Sequence, residues 1–427
     1  VHADFRRAAA GTVLPDIIMS SSSCTTSSLQ AADTPVQAHW GGVFAMTLTA
    51  FALVASEFMP VSLLTPIAQD LGVSEGLAGQ AISVSGAFAV LTSLSIARLA
   101  GQLPRKTLLL WLTALMLISG PVIALAPNYP VYMAGRVLIG IAIGGFWSMS
   151  AAAAIRLVPP HEVARALAVF NGGNALATVV AAPLGSYLGA LIGWRGAFLC
   201  LAPVALLALL WQALSLPAMR PAARHTAPTH PLALLATPLV ALGMAGVSLL
   251  FMGQFTLFTY LRPFLESETR VQVQTLSLIL LAIGVAGFIG TTLIGRLLRR
   301  SFYGTLVFIP LLMAVIAMAL VACGHHVLPV SVLLALWGLV ATAAPVGWWS
   351  WVARTLPHDA EAGGGLMVAL VQLAIGLGST LGGLLFDHGG HHITFFASAG
   401  VLLAAALAAA LTAREDRGLS SIRRKHP

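Results

Sequence analysis

Twelve apolar runs long enough to cross a bilayer recur along this chain, near 41–67, 76–98, 107–126, 131–155, 166–193, 196–216, 237–261, 273–297, 304–323, 329–353, 366–387 and 393–413. About 20 such residues suffice for a helix to traverse the hydrocarbon. The pattern predicts an all-α membrane protein of twelve transmembrane helices. Composition agrees: with 58% hydrophobic residues, 8% charged residues and a mean hydropathy of +0.91, the chain cannot be a water-soluble domain around one core.

A net charge of +8 invites a nucleic-acid reading, but the basic residues sit in short clusters between the apolar runs. Assigned to the two sides that the crossings dictate, eighteen of the 22 Lys and Arg residues fall on one side. Only Arg195, Arg262 and Arg270 fall on the other, with Arg136 inside a span. This asymmetry predicts cytoplasmic termini in an inner, bacterial membrane and no nucleic-acid partner. The longest polar break, SLPAMRPAARHTAPTHPLALLATP (215–238), joins two six-helix halves. The expected layout is a disordered tail at 1–39, bundles at 40–216 and 237–413, a cytoplasmic linker at 217–236 and a basic tail at 414–427. The tail's SSSSCTTSS run (20–28) is too polar to pack, and Met19 is a candidate start site. Cys24, Cys200 and Cys323 show no disulfide or metal spacing.

An internal repeat supports the two halves. GFWSMS (145–150) leading to RLVPPHE recurs as GWWSWV (347–352) leading to RTLPHD, and an offset of 197 relates His161 to His358 and Leu184-Gly185 to Leu381-Gly382. Equal orientation six helices apart implies halves related by an axis along the membrane normal. The second copy is four residues shorter between its Trp cluster and Arg354, which predicts a tenth helix one turn shorter.

Glu57, in FALVASEFMPVSLLTPIAQDLG (51–72), is the one carboxylate deep within an apolar run. Such a group faces a cavity, takes up a proton or pairs with a cation. Snorkelling is the plainer reading, but Pro66 near the helix end is about 13 Å of rise away. Burial and a nearby cation pull its proton affinity in opposite directions, the balance a proton exchanger needs. Arg136 is the expected cation; its plainer role is to bond backbone carbonyls. Arg136, Gly140, Gly144 and Trp147 share one helix face, where glycines permit close helix approach. Gly185, Gly189 and Gly193 read as packing residues for the same reason.

These features together resemble the major facilitator superfamily and its drug:proton antiporter branch, over residues 40–413. AGRVLIGIAIGG (134–145) is similar to that branch's fourth-helix motif, which implies a proton-coupling role for Arg136. AAPLGSYLGALIGWR (181–195) resembles its fifth-helix antiporter motif, with Pro183 and Gly185 at the Pro-Gly core and Ala182 and Ser186 where glycines are usual. EFMPVSLLTPIAQDLGVSEGLAGQ, GGFWSMSAAAAIRLVPP and GQFTLFTYLRP resemble bacterial purine ribonucleoside exporters. That resemblance implies proton-coupled efflux of inosine or guanosine by alternating access; the alternative is a broader drug or sugar exporter. The loop ARLAGQLPRK (97–106) departs from the usual GxLADRxGRK, with Gly101 for the Asp and Gln102 for the Arg. Arg105 and Lys106 remain as the conformational motif.

A nucleoside needs amides and hydroxyls for its polar edges and flat rings for stacking. Asn171, Asn174, Gln254, Tyr260 and Gln372 are the intramembrane polar candidates, and Trp147, Trp348 and Trp351 the stacking ones. Their plainer roles are interhelical bonds and packing. Arg262 reads as an interfacial anchor. No HExxH, GxSxG or P-loop occurs, so the expectation is a transporter rather than an enzyme, with no cofactor beyond a proton gradient. Asp387, His388, His391 and His392 read as a solvated loop, not a metal site, because Gly389 and Gly390 interrupt any aligning helix. The expected partners are the nucleoside, protons and the lipid bilayer, with the protein a monomer.

Overall fold

The computed structural model describes residues 38–99, 103–219, 231–357 and 359–425, which are overwhelmingly helical and contain no strand. In the first half, α1 (Trp40–Ser62) is followed by the short α2 (Leu64–Leu71), then α3 (Glu75–Leu99), α4 (Arg105–Ala124), α5 (Tyr129–Arg156), α6 (Val163–Leu199) and α7 (Leu201–Ser215). The second half holds α8 (Pro238–Phe258), the short α9 (Leu261–Ser267), α10 (Val273–Arg300), α11 (Phe302–Cys323), α12 (Val327–Ala341), α13 (Ala344–Thr355) and α14 (Ala360–Lys425). Among the described residues, ten helical stretches are long and apolar enough to cross a membrane.

Two of those ten, Arg165–Ser215 and Ala362–Gly418, run to 51 and 57 residues, far more than one crossing needs. Each is broken by a glycine at positive φ: Gly193 (φ 76, ψ 163) and Gly390 (φ 65, ψ −165). That backbone region is essentially closed to residues with a Cβ, so each glycine marks where the chain reverses. Counted as two crossings each, the two stretches bring the total to the twelve expected. Gly193 and Gly390 also stand 197 apart, the offset of the internal repeat, so the two halves turn at equivalent positions.

Each half has its own apolar core. Met46, Leu53, Leu112, Ile139 and Phe146 centre the first, while Phe264, Leu276, Met313, Trp337 and Phe395 centre the second. The expectation of a shorter tenth helix is corrected. α12 and α13 together run from Val327 to Thr355, because Val327 lies 20 residues before Gly347 whereas Tyr129 lies 16 before Gly145. The turn lost beside the Trp cluster is regained at the opposite end.

The first-half end near residues 39, 105, 157 and 219 is tied by His39 N–H to Leu157 O (2.7 Å) and Arg105 N–H to Met219 O (2.9 Å). We call this the termini end and its opposite the distal end. Of the expected linker at 217–236, Met219 is buried against the first bundle and Pro231–Ala236 forms a 3₁₀ turn, while residues 220–230 lie outside the described residues. The expected disordered tail up to residue 37, Gly101, Gln102 and His358 lie outside the described residues.

Candidate substrate and coupling site

The site starts from a proline. Pro60 lies inside α1, and because proline has no N–H, the carbonyl four residues earlier, that of Ser56, loses its helical partner. Arg136 supplies the missing donor: its Nη1 donates to Ser56 O (3.0 Å), Nε to Ala81 O (3.1 Å) and Nη2 to Ser85 Oγ (2.9 Å). The side chain is fully buried, and its three nitrogens clamp α1 and α3 to α5. Close approach makes this possible, since a Cβ on Gly140 or Gly144 would collide with the backbone of Ser85 or Ala89. Arg136 thus fills the carbonyl-binding role that the sequence offered as its plainer alternative, and its hydrogen bonds go to Ser56, Ala81 and Ser85 instead of the Glu57 carboxylate.

Glu57, one residue beyond the clamped carbonyl, is half-buried and faces the other half of the molecule. Its Oε1 accepts from Nε2 of Gln372 on α14 (3.2 Å). An apolar cluster crosses the same interface, with Phe58 stacked on Phe255 (centroids 6.0 Å, 26°) and Phe255 edge-on to Phe258 (6.0 Å). Val61, Ile82 and Ile375 complete it, with Phe251 packed alongside. Beside Phe255, the Oε1 of Gln254 is shut off from solvent and bonds no described residue, an unmet acceptor of the kind that normally finds a partner. The result is a carboxylate, the Gln372 amide and a set of aromatic rings shared between the halves, with Gln254 next to Phe255 in the chain. Sequence reasoning missed Phe58, Phe251, Phe255 and Phe258, although each phenylalanine lies within four residues of Glu57 or Gln254 in the chain.

Toward the distal end the two halves are sealed by polar contacts. Ser83 Oγ donates to Gly376 O (2.8 Å), Ser379 Oγ to Gly79 O (2.9 Å), and Thr380 Oγ1 lies 2.8 Å from Ser83 Oγ and 3.0 Å from Gln80 Oε1. Asp387 receives Ser74 Oγ–H (2.5 Å) and Gly76 N–H (2.9 Å), while Ser74 Oγ itself caps α3 by accepting from Leu77 N–H (3.0 Å). On the other flank Ser277 Oγ meets Ser186 Oγ (3.1 Å). Beyond the seal, a cavity of about 490 Å³ is lined by Thr65, Gln69, Glu75, Arg262 and Glu266.

The other residues named from the sequence fall as follows. Tyr260 is fully buried and donates to Ser379 O (2.9 Å), which makes it a strut of the distal seal. Trp348 and Trp351 are fully buried edge-to-face at 5.7 Å, against Gly246 and Gly243, and present no free stacking surface. Trp147 is half-buried with its ring edge-on to Phe170 (5.7 Å). Asn171 is exposed and donates to its own helix at Leu167 O (2.9 Å), whereas Asn174 is half-buried. Arg262 is no interfacial anchor: it is buried, pairs with Glu266 (2.8 Å) and reaches Ser62 O across the halves. Arg105 Nη1 contacts Met149 Sδ (3.6 Å), and Lys106 is half-buried at the start of α4. Pro183 lies within α6, where Gly185 lets that helix close on Met59 and Ser62. The region read as a solvated loop is helix on either side of Gly390, and Asp387 belongs to the seal.

This architecture has close parallels among known proteins. A solved structure of a mutant nucleoside transporter, NupG, superposes with a TM-score of 0.71 at 14% identity over 87% of this chain and 99% of its own, which establishes likeness of fold. A Pseudomonas aeruginosa protein named transcription regulatory protein OpdE is 65% identical over 395 residues, 91% of this chain and 98% of that protein. The purine ribonucleoside efflux pump NepI of Salmonella paratyphi B is 38% identical over 383 residues, 90% and 96% of the two chains. The family model described as Major Facilitator Superfamily matches residues 46–378. Two bundles meeting at a shared polar site, built on a sequence that this model spans for most of its length, place the chain in the Major Facilitator Superfamily, as a multi-pass membrane transporter and not an enzyme.

Proposed function

We propose that this protein exports purine ribonucleosides across a bacterial inner membrane in exchange for protons. The observation that carries this reading is the Glu57–Gln372 contact across the halves, set against the Phe58–Phe255 stack. An amide and a carboxylate can pair with the donor and acceptor edge of a purine, and aromatic faces accept its ring. A nucleoside held by Glu57 competes with the proton for the same oxygens, so only one of the two need travel in each direction. Arg136 acts here as a positioning residue that fixes the α1 backbone at Ser56. The 38% identity to proteins named as purine ribonucleoside efflux pumps favours this cargo.

The 18-to-3 excess of Lys and Arg on the side that the sequence assigns to the termini supports a cytoplasmic orientation for that end. The distal seal then closes the outer side, and export proceeds as rocking of the halves breaks it. Uptake of labelled inosine into inside-out vesicles under an imposed pH gradient tests the proposal, with a cationic dye as competitor. Uptake that collapses with the gradient is expected, and Glu57→Gln should abolish it. Dye transport without inosine transport would instead favour a broader drug exporter.

A further inference from the structure

At the distal rim of the second half, outside the substrate site, four metal-ligating side chains converge from three separate segments. Glu268 follows α9, His325 follows α11, and His391 and His392 open the second limb of α14. His325 Nε2 lies 3.0 Å from Glu268 Oε1, and His391 Nε2 lies 3.5 Å from Glu268 Oε2. Ligand atoms of Glu268, His391 and His392 all fall within 4.8 Å of one another. The Nε2 of His391 is closed off from solvent yet makes no hydrogen bond to a described residue. Gly390 produces the arrangement: its positive φ breaks the helix immediately before the two histidines and turns them back toward Glu268.

We propose that Glu268, His325, His391 and His392 bind a divalent transition-metal ion of the zinc class. Imidazole with carboxylate is a borderline donor set suited to zinc, cobalt, nickel or copper and unsuited to magnesium or calcium. Zinc–nitrogen bonds of about 2.0–2.1 Å put neighbouring donors of a tetrahedral site roughly 3.3 Å apart. The contacts of 3.0 and 3.5 Å already match, and small side-chain rotations bring His392 in. A plain ion pair explains the cluster less well. One imidazolium would satisfy the carboxylate, whereas here the rings of His391 and His392 sit 4.2 Å apart, where two positive charges repel and two neutral donors can share one cation. The bound ion would tie the end of α9, the α11–α12 turn and the start of the last crossing into one rigid rim.

The test is titration of the purified full-length chain, carrying no polyhistidine tag, with Co²⁺ and then Zn²⁺. One equivalent of Co²⁺ should give the intense visible absorption of a four-coordinate site, and Zn²⁺ should remove it. His391→Ala and Glu268→Gln should each weaken binding by at least about tenfold, since losing even an outer partner of a ligand costs about 10–100-fold. His392→Ala, on an exposed side chain, guards against a folding defect: its metal-free melting temperature should match the parent while its Co²⁺ affinity falls. His388→Ala should leave binding unchanged, because His388 Nδ1 is held by Leu384 O of its own helix (2.7 Å). Absence of the Co²⁺ band, or a band that survives both His391→Ala and His392→Ala, overturns the proposal. Loss of inosine transport with an intact band would count against the exporter reading alone.

Discussion

Arg136 and Pro60 act as one unit, although 76 residues separate them. Pro60 strips the Ser56 carbonyl of its donor, and Arg136 restores one from another helix. A buried carbonyl left unsatisfied costs about 1–3 kcal/mol, so Arg136→Leu should sharply lower the melting temperature and folded yield. Adding Pro60→Ala returns an N–H to that carbonyl. Thermal melts of the double variant should therefore show less destabilisation than the two single losses summed, and strict additivity would break the pairing. At the proposed substrate site, Gln372→Leu removes the amide from Glu57. A hydrogen bond to a charged group contributes about 1.5–3 kcal/mol, which corresponds to transport roughly 10- to 100-fold slower. Initial rates in vesicles measure this, with folded protein confirmed by gel filtration.

Between helices, the decisive feature is the match of α3 to α14. Gly76, Gly79, Ser83 and Gly86 share one stripe of α3, facing Gly376, Ser379, Thr380 and Gly383 on α14. Small residues let the backbones approach until hydroxyls bond carbonyls directly. Asp387 closes the end of this seam by bonding the first turn of α3, where a carboxylate also suits the helix dipole. Asp387→Ala should weaken the seal by about 1 kcal/mol, a typical capping loss. That corresponds to a roughly fivefold greater opening of the distal side. A cysteine at Gln80, probed with a membrane-impermeant thiol reagent from the distal side, should label correspondingly faster; unchanged labelling would remove Asp387 from the gate.

For the whole molecule, Gly193 and Gly390 reverse the chain at equivalent points in two halves, each with its own core, a construction suited to rigid-body rocking. The described contacts between halves near Ser83 and Thr380 must then break once per cycle. Their side-chain oxygens lie 2.8 Å apart, so Ser83→Cys with Thr380→Cys should oxidise to a crosslink that stops transport and is reversed by reductant. Full transport in the crosslinked state would show that the seal does not open during turnover.

Much of this was legible in the chain itself. Hydropathy carried the number of crossings, because a helix must match the bilayer's thickness, and the 197-residue offset carried the two-half plan. Gly193, which reads in the sequence as a packing residue, emerged as a turning glycine paired with Gly390 only in the fold. Glu57 stood out because a carboxylate among so many apolar neighbours requires a partner. What that partner is depends on distances between residues hundreds of positions apart. Only the folded chain brought Gln372 to Glu57 and Arg136 to the carbonyl that Pro60 frees. It also buried Trp348 and Trp351, which sequence alone could not distinguish from stacking surfaces, since hydropathy gives an aromatic residue's depth in the bilayer but not which helix it faces. Glu268, His325 and His391 met for the same reason: periodicity is a local property, while a binding site is a coincidence of surfaces arranged by packing.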